Sequence, residues 1–301
     1  MKIDIEAARL GRNVIDLISK KDMLSDDLLS QYYYSEGIKF LMEHLKCYGG
    51  FELTIDRFKY FFGLPIEKNV FERPIHLGLS KLQAIDDAYF AYLQEILKTL
   101  EDDTMSMVGT YLPNNIEYPE IMVYFLFGIR GTSIVLKNKI AIDLCDDSLY
   151  ENGSISIKRL QQMLAHEVHH IGVTVKFQEF TKSIYDERDI CKYSIIADII
   201  SEGMACFYFT PEITNQNEKQ WNVNLTDIDT KIEELKLYLA DCNRTENETS
   251  ALQGSLFGDS LLGYTIGYVM IERIHNRIGL DRVIKLLDDF CLFEVYAELA
   301  E

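Results

Sequence analysis

The stretch Ile157-Lys158-Arg159-Leu160-Gln161-Gln162-Met163-Leu164-Ala165-His166-Glu167-Val168-His169-His170-Ile171-Gly172 holds three of the six histidines in a chain of 301 residues. Leu160, Met163, Leu164, Val168 and Ile171 recur at the three-and-four spacing of an amphipathic helix. On that helix His166 and His170 share one face, a turn apart, within reach of a single ion. Glu167 follows the first histidine directly, so the row reads H-E-x-x-H. Two imidazole donors then stand beside a carboxylate able to act on a metal-bound water. A pair made by His166 and His169 could also chelate, but it strands His170 and loses the spacing that suits Glu167. His169 is therefore read as a neighbouring polar residue.

Downstream, a second helix is expected over about 189–208. Ile195, Ile196, Ala197, Ile199, Ile200, Met204, Ala205 and Phe207 make it apolar almost all round, which predicts burial. Ser194, Asp198 and Glu202 nevertheless recur every four residues along it. A buried carboxylate needs a cation or hydrogen-bond donors. A metal on His166 and His170 would supply the cation; a salt bridge to a lysine or arginine is the alternative. His166, His170 and Glu202 around one divalent ion, with a water in the fourth position, form the ligand set of a catalytic zinc. Iron competes on ligand type alone, and Glu167, placed as a general base, favours zinc.

The chemistry that follows is amide hydrolysis, with Glu167 moving the proton of the attacking water. Residues 258–279 predict a helix stopped by Gly279, with Tyr264 and Tyr268 beside the spaces left by Gly263 and Gly267. Tyr264, with Tyr268 second, is expected to stabilise the negative oxygen of the intermediate. Asp198 is expected to accept a hydrogen bond from a ligand imidazole. Strand 140–144 is expected to pair with an extended peptide.

Upstream, residues 1 to about 101 read as mostly helical, with a loop or irregular crossing over 63–78 and a long helix from Ser80 to about Asp102. The aromatic cluster Tyr32, Tyr33 and Tyr34 is assigned to packing. Residues 105–112, 120–127, 133–136 and 139–144 are short, β-branched and aromatic, which predicts a small sheet of three to five strands. Lys137-Asn138-Lys139 suits a hairpin turn. Residues 213–224 and 243–250 read as polar loops, with a helix over 228–239 between them and a last helix starting at Leu280. The organisation expected is an N-terminal helical region, 1–102, acting as cap or subdomain, and a catalytic domain, 103–301.

Composition narrows the partners. A formal charge of -18 disfavours nucleic acid and anionic membranes and mildly favours cationic substrates. No apolar run is long enough to span a bilayer, and the N-terminus has no signal-peptide core. Six scattered cysteines without a C-x-x-C fit reduced thiols and a cytoplasmic location.

These residues resemble a gluzincin-type zinc metallopeptidase. More narrowly, they are similar to families of zinc-dependent peptidases that carry H-E-x-x-H and then a helix with E-G-x-A. Here those motifs are His166-Glu167-Val168-His169-His170 and Glu202-Gly203-Met204-Ala205, and the resemblance runs from about Lys139 to the Gly263–Gly279 helix. It implies an α+β, predominantly α-helical, zincin-like metalloprotease fold with a small mixed sheet preceding the HExxH helix. It also implies one Zn2+ per chain on His166, His170 and Glu202, Glu167 as the catalytic base, and a peptide or protein substrate. There are departures. Thermolysin-like enzymes place an aspartate four residues after the glutamate ligand, where this chain has Cys206. The G-A-M-E-N motif of related aminopeptidases is missing, and 31 residues separate His170 from Glu202, so exopeptidase activity is unsupported. A non-peptide metal-dependent amidohydrolase and an inactive zincin-like binding module are the competing functions.

Overall fold

Four short apolar segments assemble the sheet of the computed structural model, which describes residues 1–50, 52–184, 186–210, 218–240 and 246–300. The strands are β1 (Lys2–Asp4), β2 (Met122–Leu126), β3 (Ser133–Leu136) and β4 (Lys139–Asp143), in the order β1-β2-β4-β3. β2 runs parallel to both β1 and β4, whereas β3 and β4 are antiparallel. The last pair is joined by Lys137-Asn138, with Lys137 at φ 57°, the left-handed conformation that tight hairpin turns require. Val123, Phe125, Leu126, Ile140, Ala141 and Ile142 are all fully buried, so both faces of these strands are covered. β1 falls in a region read as helical, because three residues are too short to carry a period.

One expectation is overturned here. β4 has a hydrogen-bonded neighbour on either side, β2 and β3. Its backbone donors and acceptors are already used, so residues 140–144 cannot add an extended peptide.

The chain forms two compact units, Met1–Thr104 with Pro119–Met163, and Met105–Tyr118 with Leu164–Glu301. Helices α1 (Glu6–Lys20), α2 (Asp26–Tyr34), α3 (Glu36–Gly49), α4 (Ile55–Phe62) and α5 (Glu72–Lys81) belong to the first, with α1 and α3 against β2. Tyr32 is buried against Phe58 and Phe62, and the Tyr33 hydroxyl donates to the Leu53 carbonyl, whereas Tyr34 is exposed. The expected loop over 63–78 is instead a short 3-10 turn followed by α5. Pro74 sits in the first turn of α5, where its missing N–H costs nothing. Residues 105–112 are not a strand, since α6 (Asp87–Gly109) takes in 105–109 and a turn follows. Leu100, Thr104 and Val108, spaced by four, are all buried, and that helical period outweighs the local β-branched composition.

The second unit contains α7 (Ile157–Thr181) from Leu164 on, α8 (Glu187–Tyr208), α9 (Glu218–Leu225), α10 (Ile228–Ala240), α11 (Glu246–Phe257), α12 (Leu262–Ile278), α13 (Leu280–Asp289) and α14 (Leu292–Ala297). α9 and α11 correct the two polar loops. Most of their polar residues lie on outer faces, while Trp221, Asn224, Thr249 and Leu256 turn inward; residues 213–217 and 243–245 of those predicted loops lie outside the described residues. The fold is α+β and predominantly helical, with the small mixed sheet ahead of α7. Among the described residues no helix is long and apolar enough to cross a membrane.

The first unit depends on a buried carboxylate. Asp143, at the end of β4, is fully buried and accepts from the N–H groups of Gly128, Ile129, Arg130, Gly131 and Cys145 at 2.7–3.0 Å. Gly128 and Gly131 have φ of 66° and 74°, which glycine adopts without a Cβ clash, so the loop can curl its amides around one anion. Asp143→Ala strips these donors of their acceptor and is expected to destabilise the protein by about 3–5 kcal/mol. Chemical denaturation should show this as a fall in midpoint.

Candidate metal centre

α7 and α8 each bury an apolar face, and His166, His170 and Glu202 converge between them. The rings of His166 and His170, one turn apart on α7, have centroids 4.7 Å apart. Their Nε2 atoms lie 3.6 and 3.5 Å from the same oxygen, Oε2 of Glu202 on α8. The other nitrogen of each ring is engaged. Nδ1 of His166 is 2.7 Å from the Thr210 hydroxyl, and Nδ1 of His170 is 2.7 Å from the Ser201 hydroxyl.

Electrostatics match this geometry. Burial lowers the pKa of His166, and it takes His170 down to about 4 against the pull of Glu202. Both imidazoles are therefore neutral at pH 7, the form that binds a metal. Burial raises the Glu202 carboxyl, opposed by His170 and by a hydrogen bond from Tyr264. Oε2 of Glu202 is buried and has no hydrogen-bond partner. Two neutral nitrogen donors and a carboxylate oxygen without a donor, all within 4.8 Å of one another, could hold one metal ion. Glu167 is buried beside them, and its charge acts on His166, Cys206 and Tyr264.

α12 reaches this cluster through a backbone contact. A Cβ on Gly203 would lie 2.4 Å from the carbonyl carbon of Gly267, and one on Gly267 would lie 2.3 Å from the Ile199 oxygen. Only glycine permits that approach, and it brings the Tyr264 hydroxyl onto Glu202. The negative charge of Glu202, followed by burial, pushes the Tyr264 phenol far above its ordinary pKa. Tyr268 is placed differently: its ring packs on Phe207 and Trp221, and its hydroxyl is bonded to Glu272.

Two further residues depart from expectation. Asp198 does not meet an imidazole; it accepts from Gln253 Nε2 at 2.8 Å, and burial raises its pKa to about 7. The hydroxyls of Ser201 and Thr210 occupy the place foreseen for it. His169 is fully buried with neither nitrogen hydrogen-bonded, and its ring packs 5.5 Å from Phe209. It is a neutral core side chain, its pKa driven well down by burial. His275 is half-buried and bonded to the Tyr208 hydroxyl at 2.9 Å. Ser201 had one sequence signal, a polar residue beside Glu202 in an apolar run. Thr210 lies past the helix end and had none.

A helix bearing H-E-x-x-H, a second helix supplying a glutamate, and a small mixed sheet ahead of both define a zincin-like, zinc-dependent class of protein. Residues 67–301 match the family model described as "Putative zinc dependent peptidase (DUF5700)", and the chain belongs to that family. No curated protein and no solved structure matches the chain.

Gly203→Ala tests the contact that carries Tyr264 to Glu202. Alanine gains about 1 kcal/mol of helix propensity over glycine, but overpacking costs about 1–3 kcal/mol. A clash with backbone rather than with a flexible side chain puts this site at the upper end. The variant is expected to melt at lower temperature and to bind zinc more weakly.

Proposed function

We propose that this protein is a gluzincin-type zinc peptidase, with His166, His170 and Glu202 holding the metal and Glu167 acting as general base. The observation that carries this reading is the convergence of two imidazole Nε2 atoms on one carboxylate oxygen that lacks a donor. Membership of a zinc-dependent peptidase family supports a peptide or protein substrate. Zinc bound at these three residues would polarise the scissile carbonyl and lower the pKa of a water from about 15.7 toward 7.

The protein's own groups do the rest. Glu167 takes a proton from the water as its oxygen bonds to the carbonyl carbon. It then delivers that proton to the leaving nitrogen as the C–N bond breaks, giving a carboxylic acid and an amine; the acid's proton passes to the amine, leaving a carboxylate and an ammonium. Such proton transfer contributes about 10²–10⁴-fold. Tyr264, kept protonated by Glu202 and burial, is the donor for the negative oxygen of the intermediate. In doing so it turns its hydroxyl away from Glu202. Tyr268, engaged with Glu272, ranks behind it.

Glu167→Gln is expected to cut hydrolysis of a broad peptide library by at least about 10²-fold while zinc stays at one per chain. A wild-type protein that holds zinc and cleaves nothing, or a Gln variant as active as wild type, refutes the assignment. Tyr264→Phe is expected to lower kcat by about 10²–10³ with KM little changed. Loss of zinc affinity with kcat per bound zinc intact would instead make Tyr264 a support for Glu202.

A further inference from the structure

We propose that Ser201 and Thr210 are positioning residues for the metal, two hydroxyls that hold the Nδ1 sides of His170 and His166 so that both Nε2 lone pairs face Glu202. The inference rests on the ligand set proposed above. A neutral imidazole has one N–H and one lone pair, and the partner of one nitrogen decides what the other can offer. The ring of His166 lies within hydrogen-bonding reach of the Ala205 carbonyl, which can only accept. With the proton on Nδ1, donated to the Thr210 hydroxyl at 2.7 Å, the Nε2 lone pair is left toward Glu202. For His170 the hydroxyl of Ser201, also at 2.7 Å, is the partner of Nδ1.

Placement follows from one helix. Ser201 and Glu202 are consecutive on α8, so their side chains leave the axis about 100° apart and can address opposite edges of the His170 ring. At its end α8 folds back: the N–H groups of Phe209 and Thr210 both donate to the Ala205 carbonyl, at 3.0 and 3.3 Å. That turn carries the Thr210 hydroxyl over His166. Both hydroxyl-bearing residues are buried, so water competes poorly for these bonds. The position one turn after Glu202 cannot do this work. Cys206 there is fully buried, and burial holds its thiol protonated, a weak acceptor for an imidazole N–H.

The test is a zinc competition titration against a chromogenic chelator on wild type, Ser201→Ala, Thr210→Val and Thr210→Ser, with melting of each metal-free protein and the cobalt-loaded absorption spectrum. Ser201→Ala is expected to weaken zinc binding about 10–100-fold, the usual effect of losing a ligand's hydrogen-bond partner. Thr210→Val should weaken it to a similar degree, and Thr210→Ser should restore wild-type affinity within about twofold. The cobalt spectrum should shift in the first two variants and not in the third. A merely structural role would lower the metal-free melting temperature and leave zinc affinity and the cobalt spectrum unchanged; that result overturns the proposal. Thr210→Ser as weak as Thr210→Val also overturns it, and this pair decides the matter if Ser201→Ala does not fold. A wild-type protein that binds no zinc overturns both this proposal and the ligand set, whereas unchanged variants of a zinc-binding wild type leave the ligand set standing.

Discussion

Glu202 presents a carboxylate oxygen that no donor reaches, in a helix pair whose buried side chains are mostly apolar. An uncompensated carboxylate in such surroundings costs several kcal/mol, and the cost falls only when a cation or a set of donors faces it. Two neutral imidazoles within 3.6 Å cannot remove that cost, because they bring lone pairs rather than charge. Their arrangement makes sense around a positive ion. Much of the second unit follows from holding this unfavourable group in place.

α8 is the element that does most of the holding. It carries Glu202 toward α7, Ser201 toward His170, and, through the turn at its end, Thr210 toward His166. On its other side Gly203 lies against Gly267 of α12 with no room for a methyl group. The E-G pair of the motif thus has two separate physical causes: a charge for the ion, and the absence of a side chain so that Tyr264 can approach. Asp198, a turn earlier, is satisfied in part by Gln253 of α11; burial, with the neighbouring Glu202 charge adding to it, raises its carboxyl pKa to about 7.

The first unit solves the same problem with different means. Asp143 is also a buried carboxylate, but five backbone N–H groups surround it. It needs no cation and shapes the loop after β2. Comparing the two carboxylates separates a structural acid from a functional one: the donors around Asp143 are complete, those around Glu202 are not.

By itself the sequence determined the helix through residues 157–172, the facing of His166 and His170, the burial of the helix around Glu202, the positions of β2, β3 and β4, and the family. Each of these is a local period or a motif, so neighbouring residues carry the information. It misjudged 105–109, 218–224 and 246–250, where short polar or β-branched stretches hid a helical face that only packing reveals. Only the tertiary structure decided that Ser201 and Thr210, not Asp198, meet the imidazoles, that Tyr264 and not Tyr268 reaches Glu202, that His169 is core, and that β4 is an interior strand. Those outcomes depend on which side chains from distant segments come within 3–4 Å, and no spacing along one chain encodes a distance across two helices.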